Sequence, residues 1–334
     1  MNNKIASRLV LLALSVFTSF IISANDDQAL RKSALSIIGT IPATMPGSAN
    51  DTEAMVALGE KLYFETNLSA NRTQSCNSCH NILNNGHGVD GLSTSTGALG
   101  IQGRRNAPTT WNAGFQISQN WDASAKSLSE QAMGPLLDKK EMALSSEKQA
   151  VRRLKKAGYK KMFEAVFPAD DKPLNFINIT KALAAFQRTL ITQDRFDEFM
   201  AGDNSALSAL EKEGFLTLRK NGCTSCHSGP LMGGQFVMKL GVVNPYENTQ
   251  DKGLAEITGR EDHNFLFKVP PLRNVGNTGP YFHDGAVNDL EEVVFLTGWH
   301  QLGIELSDRD VAAITAFLQS LDNKKPYTPA AQSN

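Results

Sequence analysis

Apolar residues recur at helical spacing in several separated stretches of the chain. In 51–64, Met55, Leu58, Leu62 and Tyr63 fall on one face, so this segment is expected to be a helix with one packed side. The same reasoning predicts helices at 128–133, 147–156, 159–167, 177–191, 206–219 and 308–321, the last with Ser307 as its N-cap. Between them lie two long stretches without legible periodicity. Residues 82–108 are rich in Gly, Asn, Ser and Thr, and 229–274 form a second loop; structureless runs of this length in a compact chain are often functional. A polar tail is expected at 322–334.

The first residues follow a different pattern. Lys4 and Arg8 precede an almost wholly apolar run at 9–22, and Ile22-Ser23-Ala24 suits cleavage before Asn25, so 1–24 reads as an export signal. The apolar run is short beside the ~20 residues of a typical membrane span, and the rest of the chain offers no span. The expected product is a soluble protein outside the cytoplasm. The chain has 33 basic and 34 acidic residues, and losing Lys4 and Arg8 leaves 31 against 34, a net charge of −3. That balance gives no support for nucleic-acid binding, which needs a basic face.

All four cysteines fall in two Cys-x-x-Cys-His runs, Cys76-Asn77-Ser78-Cys79-His80 and Cys223-Thr224-Ser225-Cys226-His227. This is the pattern of covalent haem attachment: two thioethers to the porphyrin vinyl groups, then a histidine whose imidazole binds iron on one face. A lone copy also occurs in zinc or redox dithiol sites. Two complete copies behind an export signal, with no cysteine to spare for a disulfide, point to two bound haem c groups. The fold expected is mainly α, with two c-type cytochrome domains in tandem joined by long loops. The N-terminal one would span 25–200 and the C-terminal one 201–321, and the N-terminal domain is expected to borrow a C-terminal segment if it needs one.

Further runs make the resemblance specific. Leu62-Tyr63-Phe64, Arg105-Asn106-Ala107-Pro108-Thr109, Asn120-Trp121-Asp122 and Glu130-Gln131-Ala132-Met133-Gly134-Pro135 are joined by Phe186-Gln187-Arg188-Thr189-Leu190, Val269-Pro270-Pro271-Leu272-Arg273-Asn274-Val275 and Pro280-Tyr281-Phe282-His283-Asp284-Gly285. In this order, across roughly 50–321, the chain resembles the bacterial di-haem cytochrome c peroxidases, a family that includes the MauG-like enzymes. The resemblance implies reduction of hydrogen peroxide to water at the haem of His80, with electrons entering at the haem of His227 from a small periplasmic cytochrome c or cupredoxin. It leaves two alternatives: MauG-like oxidation of a protein substrate, and electron transfer without turnover. It also implies a periplasmic location, with a homodimer as a candidate assembly.

Residue by residue, the resemblance makes Glu141 the distal acid–base group and Gln131 its partner in orienting peroxide, with Glu130 as the fallback acid. From sequence alone, Glu141 beside Lys139 and Lys140 reads as a solvent-facing residue. Trp121 matches the tryptophan between the two haems, with a packed core tryptophan as the plainer reading. Asn106, Thr278 and Pro280 match the ligands of an inter-domain calcium ion. His283 and Lys268 fall where relatives contact haem propionates, and His263 reads as a surface residue. Two positions depart from the family. Ala98 stands where conventional peroxidases carry a histidine that closes the catalytic iron, which implies a site open without prior reduction. His87, in the same loop, is expected to be solvated or near a propionate, with distal ligation the sharper alternative. Thr297 stands where the electron-transfer iron takes a methionine, and where MauG-like members carry tyrosine. His300 is then the first candidate for the distal ligand, with an open coordination, Met232 and Met238 as alternatives.

Overall fold

The computed structural model describes residues 24–83 and 87–329. The expected leader lies outside them except for Ala24. Within them the chain is predominantly α-helical, and no helix is long and apolar enough to cross a membrane.

Two hydrophobic clusters organise the molecule. In the first, the helix Glu53–Tyr63 crosses Phe176–Gln187, burying Leu58, Leu62, Tyr63, Ile179, Leu183 and Phe186. Gly59 makes this close approach possible: a Cβ there would overlap the Ala182 carbonyl and sit 2.8 Å from the Phe186 Cβ. In the second, Ala209–Lys220 crosses Asp308–Ser320 with Phe215, Leu218, Ile314 and Phe317 buried. Gly214 plays the same part, since its Cβ would overlap the Ala313 carbonyl and lie 2.7 Å from the Phe317 Cβ. Each first-named helix leads toward one Cys-x-x-Cys-His run, so the crossings set where the two motifs emerge.

Capping explains the sharpest helix boundaries. Ser146 accepts from the Gln149 amide at the start of Glu147–Lys156, and Ser307 accepts from the Asp310 amide as expected. Elsewhere the structure departs from the sequence reading. The helix expected at 128–133 ends at Gln131 and a new one runs Met133–Leu137, because Pro135 has no amide hydrogen and its ring disfavours a helical carbonyl four residues back. Ala24–Ile37, Arg195–Met200 and Leu290–Thr297 are further helices. The first two belong with the second cluster, where Leu30, Ala34 and Ile38 pack beside Phe196 and Phe199. The loop at 229–274 contains a two-stranded antiparallel sheet, Val237–Lys239 against Leu266–Lys268, with Met238 opposite Phe267. The tail returns to the first cluster, where Tyr327 stacks on Phe64 at 6.2 Å between centroids and donates to Glu60.

Candidate active site and haem crevices

Both motif histidines are held in the same way. His80 places Nδ1 2.8 Å from the Pro108 carbonyl oxygen, and His227 places Nδ1 2.9 Å from that of Met232. A carbonyl can only accept, so Nδ1 carries the proton and Nε2 is left as the basic nitrogen, which is the tautomer an iron-binding imidazole needs. Burial lowers the pKa of both rings, favouring the neutral ligand form. The motif cysteines form no disulfide. Burial pushes the Cys76 thiol up to about 12 and Cys223 up to about 11, and it raises Cys79 as well. Surroundings that disfavour thiolate suit neutral thioether sulfur better than a zinc site, which requires S⁻. The residues present therefore fit two covalently attached haems.

Around the first motif, Tyr63 donates its hydroxyl to the His80 carbonyl at 2.6 Å and lies 3.1 Å from Thr110 Oγ1, fixing the chain just after Cys79. Ala98 is buried, and its amide donates to the Glu141 carbonyl at 2.7 Å. Gly97 allows this contact, because a Cβ there would run into the Lys140–Glu141 peptide. The position that lacks a histidine and the expected acid are thus neighbours through their backbones, although 43 residues separate them in sequence. The Glu141 side chain remains open to solvent while dense protein surrounds it on the other sides. That burial, followed by the nearby Asp138 carboxylate, raises its pKa to about 7. Its charge in turn opposes ionisation of Cys76 and Cys79, which puts it on the side of the first motif. Glu130, the fallback acid, is exposed and accepts from the Lys126 amide at 2.8 Å in the cap of its own short helix. Gln131 is half-buried at the end of that helix. The His87 carbonyl accepts from Thr109 at 2.9 Å, folding this loop back along the segment after Pro108.

The second motif opens into a cavity of ≈ 260 Å³. Cys223, Cys226 and His227 line it together with Trp121, Lys268 and His283, and so do Asn106, Thr278 and Pro280. Trp121 donates its indole N–H to the Asn106 carbonyl at 2.9 Å and accepts from the Lys268 amide at 2.7 Å. Its neighbour Asp122 is held by Arg105, which also grips Asp251 through two bonds of 2.6 and 2.8 Å. Burial works against the Asp251 charge, but this guanidinium outweighs it and brings the carboxyl down to about 2. Lys268 is buried with Nζ 3.0 Å from the Ser118 carbonyl, and desolvation lowers its pKa to about 8. His283 is buried, lies against the Phe267 ring at 4.3 Å, and has both ring nitrogens unpartnered. A buried lysine and an orphaned imidazole on one cavity wall suit the propionate edge of a haem.

His300 is the first candidate from sequence for the distal ligand of the second haem. It does not line the cavity of His227. The residue is buried, with Nδ1 2.9 Å from the Asn244 carbonyl, Nε2 3.9 Å from Glu247 and the ring 5.4 Å from that of Tyr246. Thr297 and Met238 do line that cavity. His263 is half-buried in its own 3₁₀ turn and contacts Thr258 at 2.9 Å. Sequence reasoning did not assign the roles of the Pro108 and Met232 carbonyls, which no side-chain motif announces, or those of Tyr63 and Arg105, both present in the quoted runs.

Comparison with known proteins agrees with this geometry. A family model described as di-haem cytochrome c peroxidase matches residues 53–205. The cytochrome c551 peroxidase of Nitrosomonas europaea is 40% identical over 291 residues, covering 86% of this chain and 85% of that protein. That of Pseudomonas aeruginosa is 36% identical over 321 residues, covering 93% and 92%. Among solved structures, a MauG-like protein associated with microbial copper homeostasis superposes with a TM-score of 0.75 at 28% identity, covering 84% of this chain and 93% of that one. With both haem-binding motifs, their histidine geometry and full-length relatives in agreement, the chain belongs to the bacterial di-haem cytochrome c peroxidase family.

Proposed function

We propose that this protein is a periplasmic peroxidase that reduces hydrogen peroxide to two waters, consuming two protons and two electrons from a small cytochrome c or cupredoxin. When bound, the haems supply two redox-active irons, one where peroxide is cleaved and one that receives the donor's electron. The protein's part is to hold His80 and His227 as neutral Nε2 donors and to keep the side chain of residue 98 from competing for the distal face. Glu141 takes the proton from one peroxide oxygen and returns it to the other, a role suited to a carboxyl poised near neutrality. Gln131 orients the substrate through its amide. Trp121, fixed between the Asn106 and Lys268 backbones, bridges the two halves, Lys268 pairs with a propionate and His283 hydrogen-bonds one. Asn106, Thr278 and Pro280 are assigned to a calcium ion; they line one cavity, and oxygen donors suit this hard cation. The two haem domains are assigned to 25–200 and 201–321, except that the helices Ala24–Ile37 and Arg195–Met200 pack in the core of the second and Tyr327 of the tail packs in that of the first.

The observation that carries this reading is the pairing of Ala98 with Glu141: the backbone of a residue unable to bind iron is hydrogen-bonded to the backbone of a glutamate whose carboxyl pKa is raised to about 7. The test is low-temperature EPR of the oxidised protein together with peroxide turnover using a reduced cytochrome. A high-spin signal and turnover without pre-reduction are expected. Two low-spin irons and inertness toward peroxide would refute it. Turnover of a protein substrate without peroxidase activity would select the MauG-like alternative.

A further inference from the structure

Thr297 leaves the second haem without the family's sulfur ligand, yet another sulfur, that of Met238, lines the same cavity. We infer that Met238 is the distal iron ligand of the haem attached at Cys223 and Cys226. This inference rests on the two-haem reading above.

Met238 and Leu240 line the cavity of His227, whereas Lys239 between them is exposed, which is the alternation a strand imposes. Opposite Met238 across the sheet is Phe267, which lines the cavity too, as directly paired residues share a face. The segment after Met238 is laced to the turn after Thr297. Gln301 accepts from the Gly241 and Val242 amides at 2.7 and 3.2 Å and donates to the Lys239 carbonyl at 3.1 Å. The His300 carbonyl accepts from the amides of Val243 and Asn244 at 3.0 and 3.2 Å. The backbone that carries Met238 is thereby pinned against the segment where the family's methionine would stand.

The other candidate donors are placed differently. His300 is buried against Tyr246 and does not line the cavity, and Lys268 spends Nζ on the Ser118 carbonyl. His283 lies against Phe267 close to the Arg105–Asp251 charges, the polar side of the cavity. Met232 is fully buried in the second cluster, does not line the cavity, and its carbonyl accepts from His227 Nδ1. Thioether sulfur is a soft ligand that favours the reduced metal, which fits an iron that must accept an electron.

The test uses the full chain carrying both haems, confirmed by the haem-to-protein ratio. The oxidised protein is expected to show the sulfur-to-iron charge-transfer band in the near infrared, lost in Met238→Leu and kept in Met232→Leu. Wild-type protein labelled at its methionine methyls is expected, when reduced, to show one methyl resonance carried far upfield by the porphyrin ring current, a readout that needs no variant. Absence of both signatures from fully loaded wild type, or a band that survives in Met238→Leu, overturns the assignment. A fully loaded protein with two nitrogen ligands and normal peroxide turnover would move the ligand to another residue and leave the peroxidase reading intact. The sulfur signature without turnover would refute the peroxidase reading and keep Met238.

Discussion

The Glu141→Gln substitution tests the catalytic reading most directly, because it keeps the shape of the side chain and removes its proton chemistry. General acid–base groups contribute about 10²–10⁴-fold, so the variant is expected to lose about 3–5 kcal/mol of transition-state stabilisation in peroxide turnover. The pH dependence follows from the same residue. Its pKa is raised above the ordinary carboxylate value to about 7, so the form able to accept a proton from peroxide is the minority below neutrality. The ionised fraction rises from about one tenth at pH 6 to about nine tenths at pH 8, and kcat/KM for peroxide should climb roughly tenfold over that interval. Burial is the larger cause and Asp138 the smaller, so Asp138→Asn should move the midpoint to lower pH without abolishing it. Steady-state oxidation of a reduced cytochrome, followed optically with haem content measured in each preparation, reads both effects. A Glu141→Gln enzyme that keeps half the wild-type rate with both haems bound would refute this assignment, as would a wild-type profile flat from pH 6 to 8.

Three structural predictions follow from the cores. Gly59→Ala and Gly214→Ala should each lower stability by about 1–3 kcal/mol or more, through overpacking against the facing helix, read by thermal denaturation of the haem-loaded protein; an unchanged transition would contradict the close crossings. Arg273 is fully buried, paired with Asp194 and 3.0 Å from Asp197, so Arg273→Met should cost about 3–5 kcal/mol by stranding the Asp194 carboxylate, and adding Asp194→Asn should recover part of the loss. Asp322 has its pKa raised to about 7 by burial, despite accepting from the Gly276 amide at 2.9 Å. A folded pKa above the unfolded one gives stability that is present at low pH and lost as pH rises through about 7. Asp322→Asn should therefore narrow the gap in melting temperature between pH 6 and pH 8, and an unchanged gap would show that this carboxyl does not titrate there.

The sequence carried most where a local rule governs structure. The haem-attachment runs are legible because covalent chemistry fixes cysteine and histidine spacing along the chain, and 147–156 emerged with both ends correct because a serine cap precedes a strongly amphipathic face. Arg195–Met200 has only six residues, too few for a period to establish itself, and its helicity comes from burying Phe196 and Phe199 in the second cluster. The strand holding Met238 is three residues long and is defined by its partner from 266–268. His300 shows a related limit: its place three residues after Thr297 does not say where its ring points. The chain instead continues into a wide π turn at Gly298–Leu302, which aims that imidazole at Asn244.

A single frame is built twice in this molecule. Gly59 against Ala182 and Phe186 repeats as Gly214 against Ala313 and Phe317, and each motif histidine gives its Nδ1 proton to a backbone carbonyl. The proximal sides of the two haems are thus matched, and a difference in function must come from what is laid across the distal sides. In the first half the 97–98 backbone is fastened to Lys140–Glu141, bringing a small apolar residue and a titratable carboxyl together. In the second, 239–244 is fastened to 299–301, bringing a strand with a thioether to an apolar wall. Neither lacing relies on the motif itself. On the proposed reading, a repeated scaffold keeps both haems attached while the distal segments diverge, one open for substrate and the other supplied with sulfur from a new position, and replacing the usual ligands by Ala98 and Thr297 is tolerable because backbone and side-chain hydrogen bonds already fasten each distal segment.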